Sequence, residues 1–223
     1  MNKTSVRDSL PELWAALGET GWMVLLSFLI TLVLGTLTGI LLRLTSPDGL
    51  RPNAGFNRIF GAIVNIGRSL PFLILLIAVI PLTRLLVGTA YGPTAAVVPL
   101  ALGAIPFFGR VVESALREVS PGKIEAAQVM GASTSQIVRK VLLPEAMSPL
   151  VAGATLTLVM LIGYSAMAGT IGGGGVGDFA IRYGYQRFNT PVLLVSVVVL
   201  IVIVQLIQSV GDAIVRSMAH KRD

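Results

Sequence analysis

The sequence predicts an all-α polytopic integral membrane protein, with five transmembrane helices and a cytoplasmic loop of two short coupling helices. Of its 223 residues, 54% are hydrophobic and 13% charged, with a mean hydropathy of +0.82. A water-soluble domain of that length could not hide so much apolar surface behind so few charges. A helix needs roughly 20 apolar residues to span a hydrocarbon core about 30 Å thick, and several runs here reach that length. The basic residues also fall unevenly between the runs, as they do in membrane proteins of fixed orientation.

The opening stretch, residues 1–18, places Leu10, Leu13, Trp14 and Leu17 at helical spacing. This predicts an amphipathic segment at the membrane surface rather than a spanning one. The apolar run from about 21 to 42 is the first span. It is too long for a signal-peptide core, and charged residues rather than a cleavage site follow it. The second span is expected at 59–80, interrupted by Asn65, Arg68, Ser69 and Pro71, and the third at 91–109. The fourth is placed at 150–168 and the fifth at 191–210. One membrane domain, 19–213, and a charged tail, 214–223, complete the organisation.

Arg43, Arg51, Arg58, Arg110, Arg117, Lys123, Arg139, Lys140, Arg216, Lys221 and Arg222 fall on one side of this topology. Only Lys3, Arg7, Arg84, Arg182 and Arg187 fall on the other. The positive-inside rule puts the richer side in the cytoplasm, so the N-terminus is expected outside and the C-terminus inside. The net charge of +6 is thereby read as loop charge beside membrane lipid, not as a nucleic-acid surface. The absence of cysteine removes thiol chemistry and Cys-based metal sites. The single histidine, His220, lies in the charged tail. No catalytic or metal-binding group is expected.

The polar stretch between the third and fourth spans is the most informative. Ser120 fits an N-cap with Pro121 at the first helical position, and Gly131 is suited to end that helix. Ser133 with Gln136 fits a capping box that starts a second helix, which Pro144 is expected to halt. Helices this short need something to pack against. Spacing alone leaves two readings open: a separate protein docks on them, or they connect two spans and rest on their own membrane domain.

Glu125, Ala126 and Ala127, three residues, Gly131, nine residues, then Val141-x-Leu143-Pro144 resemble the EAA loop of type I permease subunits of bacterial ATP-binding-cassette importers. Only Val141 departs from the I-x-L-P ending, conservatively. NIGRSLPFLILL, TRLLVGTAYG and IGYSAMAGTIGGGGVG are also similar to the D-methionine transport branch of that family, and the similarity runs from about Gly21 to Arg216. The resemblance implies a multi-pass subunit of the bacterial inner membrane for methionine, in L or D form. It further implies that two copies form the path and that two copies of an ATPase dock on the EAA loops. A periplasmic or lipoprotein binding protein delivers substrate outside. ATP and magnesium belong to the partner: this chain has no G-x-x-x-x-G-K-[ST], and IGGGGVGD lacks the lysine that reaches a phosphate. Ala132, a further small residue beside Gly131, joins the expected coupling set.

For the path or gate, the candidates are Met160, Tyr164 and Met167 on one helix face, with Ser165 beside them, and Asn65 and Arg68 in the second span. Ordinary helix packing is the alternative for the first group, and snorkelling to an interface for Arg68. Gly35 and Gly39 form a GxxxG that permits close helix contact. Arg110, Glu113 and Arg117 are expected as surface pairs, and Asp178 with Arg182 as an i,i+4 pair. An ion-coupled carrier would need acidic residues in the span cores, where none is expected. A serine hydrolase built on Ser165 would lack a base.

Overall fold

The structure, a computed structural model, describes residues 6–219; Lys3, His220, Lys221 and Arg222 lie outside them. The described residues are all-α and include no strand. After a 3₁₀ turn at Val6–Ser9 come α1 (Leu10–Thr45), α2 (Ala54–Ser69), α3 (Phe72–Ala78), α4 (Ile80–Val87) and α5 (Pro93–Arg117). The short helices α6 (Pro121–Val129), α7 (Thr134–Ile137) and α8 (Leu143–Glu145) follow, then α9 (Met147–Gly169), α10 (Gly175–Phe179) and α11 (Thr190–Ala219). π-helical turns occupy Val138–Leu142 and Ala180–Tyr185.

Two expected elements differ. From Leu10 onward, the stretch expected as a separate surface segment is continuous with the first span. The 36 residues of α1 extend about 54 Å at 1.5 Å per residue, well beyond the hydrocarbon thickness. Gly18 and Gly21 do not break the helix, and Glu19 and Thr20 between them are used elsewhere: the Gly175 N–H donates to Glu19 Oε2 at 2.7 Å and the Val176 N–H to Thr20 Oγ1 at 2.9 Å. The side chains of α1 thus satisfy the open amides at the start of α10.

The second span, expected as one run over 59–80, is broken instead. α2 and α3 meet at 104°, because Pro71 has no N–H to continue the ladder and disfavours helical geometry at Leu70. Among the described residues, four helices are long and apolar enough to cross a membrane, and counting the bent pair as one span makes five.

The chain divides into two compact units. One comprises residues up to Leu29, Leu70–Gly103 and Leu158–Ser209; the other comprises Ile30–Ser69, Ala104–Thr157 and the chain from Val210. In the first, Leu13, Ala16, Val176, Phe179 and Val192 form a buried cluster. A glycine turn at Gly172, Gly174 and Gly175, all with φ near +80°, joins α9 to α10. Gly169 and Gly177 bring those helices into backbone contact, since a Cβ on Gly169 would lie 2.3 Å from the Asp178 nitrogen.

In the second unit α5 is the hub. A Cβ on Gly39 would lie 2.5 Å from Val112 Cβ, and one on Gly35 2.8 Å from Phe108 Cδ1. The GxxxG of α1 is therefore used inside the chain, against α5. Gly109 fits Thr38, Gly153 fits Val111 and Gly67 fits Pro106 in the same way. Apolar helices gain little hydrophobic energy by associating within lipid, so close backbone approach at small residues carries their packing.

Candidate coupling site

The stretch from α6 to α8 folds as a braced knuckle within the second unit. Pro121 occupies the first turn of α6. Ser120 stands at the cap position, but its side chain makes no capping bond; its carbonyl accepts from the Lys123 N–H at 3.1 Å. Gly131 ends α6 with φ +77°. The Ala132 N–H donates to the Ala127 carbonyl at 3.0 Å and the Gly131 N–H to the Gln128 carbonyl at 2.9 Å, the paired bonds of a Schellman turn. Two residues later the capping box is complete: the Ser133 N–H donates to Gln136 Oε1 at 2.7 Å, and the Gln136 N–H to Ser133 Oγ at 3.4 Å.

Pro144 does not halt the second helix as expected. The chain widens into the π turn, where the Leu143 N–H reaches the Val138 carbonyl. That extra residue accommodates a proline with no amide to donate, and the helical path continues towards α9.

One side of the knuckle is anchored. Ala127, Ile137, Val138, Leu142 and Ala146 are buried in one cluster with Phe108, Val112, Ala115 and Leu116 of α5 and with Val119 in the link that follows it. Lys123 Nζ meets Glu145 Oε2 at 2.6 Å, tying the start of α6 to α8, and Arg51 Nε donates to Thr134 Oγ1 at 3.3 Å. A cavity of about 270 Å³ lies between the 43–50 segment and α6, with Arg43, Asp48, Glu125 and Gln128 on its wall. Arg43 is held there by Ser46 Oγ at 3.1 Å and Asp48 Oδ2 at 3.3 Å. The Ser46 hydroxyl, then Asp48's own backbone amide and, more weakly, Arg43 hold the Asp48 carboxyl below its ordinary value.

The other side is open. Glu125, Ala126, Gly131 and Pro144 are exposed, Ala132, Val141 and Leu143 are half-buried, and only Ala127 of the E-A-A triplet points inward. Sequence reasoning missed Val129 and Met130, whose side chains are 89% and 80% exposed. The signal was an apolar pair immediately before the helix-ending glycine.

The path candidates divide between the units. Tyr164 stacks on Phe72 with ring centroids 4.0 Å apart and planes 8° from parallel, a partner that spacing on α9 alone could not reveal. Met160 is half-buried and Met167 exposed. Ser165 is buried, and its hydroxyl donates to the Ile162 carbonyl of its own helix at 2.8 Å. Asn65 and Arg68 are exposed and belong to the other unit.

Residues 35–222 match the family described as binding-protein-dependent transport system inner membrane component. The chain belongs to that family. It is 54% identical over 209 residues to the probable D-methionine transport system permease protein MetI of Vibrio cholerae, covering 94% of this chain and 93% of that one. It is 50% identical to the methionine import system permease protein MetP of Bacillus subtilis over 92% of both. A solved chain of the MetNI methionine ABC transporter in inward-facing conformation superposes with a TM-score of 0.90 at 49% identity, covering 92% of this chain and 95% of that one. An amino acid ABC transporter solved with histidines shares the fold, with a TM-score of 0.77 at 18% identity.

Two ionic features of this inner membrane component bear on its expected pairs. Asp178 and Arg182 form the i,i+4 pair expected, and the carboxylate raises the Arg182 guanidinium above its ordinary value. Arg110, Glu113 and Arg117 are not a surface set. Glu113 is only 6% exposed and accepts from Arg110 Nη1 at 2.6 Å and Arg117 Nη2 at 2.8 Å. The second arm of Arg110, Nη2, donates to the Gly61 carbonyl of α2 at 2.9 Å.

Proposed function

We propose that this chain is the membrane-spanning permease subunit of an ATP-driven importer for methionine in its L and D forms. A second copy completes the path, and an ATPase docks on the knuckle of each copy. The observation that carries the coupling reading is the two-sidedness of the knuckle. Its inner side is fixed to α5 by a buried apolar cluster, while Val129, Met130 and Glu125 stand out from the other. A mobile loop would absorb a push, whereas a braced one passes it to the helix beneath as rigid-body movement. Isolated Val and Met side chains are ordinary on a protein surface, but an adjacent pair at the tip of a short helix fits an apolar hole in a partner.

Methionine is favoured by the names borne by relatives at 54% and 50% identity. The bound ATP and magnesium belong to the docked ATPase, and a binding protein, periplasmic or lipid-anchored, supplies substrate on the opposite face. The N-terminus lies outside and the C-terminus in the cytoplasm. Met160, Tyr164, Ser165 and Met167, with Asn65 and Arg68, are the residues proposed to line or close the path. The test is ATP-dependent uptake of labelled methionine into proteoliposomes that hold this chain with a methionine-importer ATPase and its binding protein. Uptake competed by unlabelled L- and D-methionine supports the reading. Stronger competition by histidine or glutamine would keep the importer and overturn the substrate.

A further inference from the structure

Resting on the coupling role proposed for the knuckle, we infer that Arg110 is a positioning residue for transport: its two-armed link makes α2 move with the helix that carries the knuckle. α5 presents two neighbouring stripes. Phe108, Val112 and Leu116 receive the knuckle, while Arg110, Glu113 and Arg117 lie along the stripe beside it, at i, i+3 and i+7.

Glu113 is buried, and each of its oxygens takes one guanidinium. Arg110 uses one arm for that carboxylate and the other for the carbonyl of Gly61, which is 49 residues away in sequence. The planar fork of arginine holds both acceptors at once through separate nitrogens, whereas lysine has to serve them from one nitrogen without the fixed fork. Gly61 makes room for it, since a Cβ there would lie 3.2 Å from Arg110 Nη2. A second tight contact, Gly67 against Pro106, keeps the two helices close further along.

Stability alone does not explain this arrangement. A buried ion cluster is often no more stable than apolar side chains of the same volume, and the buried Arg110 Nε finds no hydrogen-bond partner among the described residues. What the cluster adds is direction: a fixed bond from α5 to the backbone at the middle of α2, the helix that ends at the bend before Pro71. Displacing the knuckle displaces α5, and α2 follows through Arg110.

The experiment uses the complete transporter in proteoliposomes and measures methionine carried per ATP hydrolysed. The chain has no cysteine, so Ala62→Cys and Ser114→Cys, both at exposed positions, can carry nitroxide labels on α2 and α5. Two variants are compared with the parent: Arg110→Lys, which keeps the charge beside Glu113, and the double change Arg110→Met with Glu113→Leu, which keeps the volume, removes the buried carboxylate together with Arg110 and leaves the exposed Arg117 to solvent. Methionine per ATP should fall roughly tenfold in both, within the usual range of coupling between sites, with ATP hydrolysis retained and the label distances broadened. Broadened distances with an unchanged ratio would make the link merely structural and overturn the inference. An unchanged distance distribution would overturn it too, whatever the ratio. If the parent transporter moves no methionine, the proposed function is what fails, and the label distances still decide whether Arg110 holds α2.

Discussion

Replacing Gly131 by leucine separates two effects that a glycine at a helix end usually confounds. The residue sits at φ +77°, where a side chain costs about 1–2 kcal/mol of backbone strain. A Cβ there meets nothing within 4 Å, so no clash adds to it. Domain stabilities are of order 5–15 kcal/mol, so both Gly131→Ala and Gly131→Leu should insert and purify with a modestly lowered Tm. They part at the partner. Alanine adds one methyl next to Met130, whereas leucine adds a branched side chain to the surface proposed to enter the ATPase. Forcing extra methylenes into a packed contact costs about 1–3 kcal/mol, or roughly five- to 150-fold in affinity. The assay is titration of the purified ATPase onto the variants in detergent, followed by uptake per ATP in proteoliposomes. Leucine should weaken docking at least fivefold, with alanine near the parent. Parental docking and uptake by Gly131→Leu would refute the reasoning, and equal losses for both variants would show that strain, not bulk, is responsible.

Further outcomes follow from the same geometry. Val129→Ser with Met130→Ser should leave stability within about 0.5 kcal/mol of the parent, as exposed substitutions do, while weakening ATPase docking in the same titration. Gly39→Leu should fail to give a monodisperse protein on size exclusion, because its Cβ would already lie 2.5 Å from Val112 and 2.6 Å from the Gly109 carbonyl. Gly18→Ala, in the same helix with nothing within 4 Å, should raise Tm by the equivalent of about 0.5–1 kcal/mol. The depressed pKa of Asp48 sets a sign: its contribution is complete above the ordinary aspartate value of about 3.9 and is lost as pH falls through the lower folded value. The Tm gap between the parent and Asp48→Asn should therefore hold from pH 8 to 5 and close in the acid range. A Glu125→Cys variant should react with an impermeant maleimide only after cells are permeabilised; labelling of intact cells would put the knuckle on the wrong face.

The features legible in the sequence are those decided within a few residues. The capping box at Ser133 and Gln136 and the helix-ending Gly131 are local hydrogen-bond problems with few solutions, and both form as expected. Four apolar runs became single helices, because a backbone in hydrocarbon has to satisfy itself internally. The π turn before Pro144 was not legible. A proline can end a helix or be absorbed by a widened turn, and the buried anchors Val138, Leu142 and Ala146 favour the second. The start of α1 was hidden for a related reason: the spacing of Leu10, Leu13 and Leu17 is the same in a separate surface helix and in the first turns of a longer one.

Charge and glycine had the same ambiguity, and one helix resolves both. Arg110, Glu113 and Arg117 have the spacing of an exposed ion-pair ladder, yet Glu113 is buried and Arg110 reaches the Gly61 carbonyl of α2, 49 residues upstream. The GxxxG at Gly35 and Gly39 has the spacing of a helix dimer, yet its partner is α5 of the same chain. In each case periodicity identifies the face, and the identity of the neighbour decides its use. The burial of 56% of the α5 span window, against 11% for α11, is the quantity that matters here. A helix enclosed by its own chain consumes its small and charged residues internally. Val129 and Met130, exposed apolar residues outside the spans, are therefore the positions at which the docking proposed for the knuckle is most directly tested.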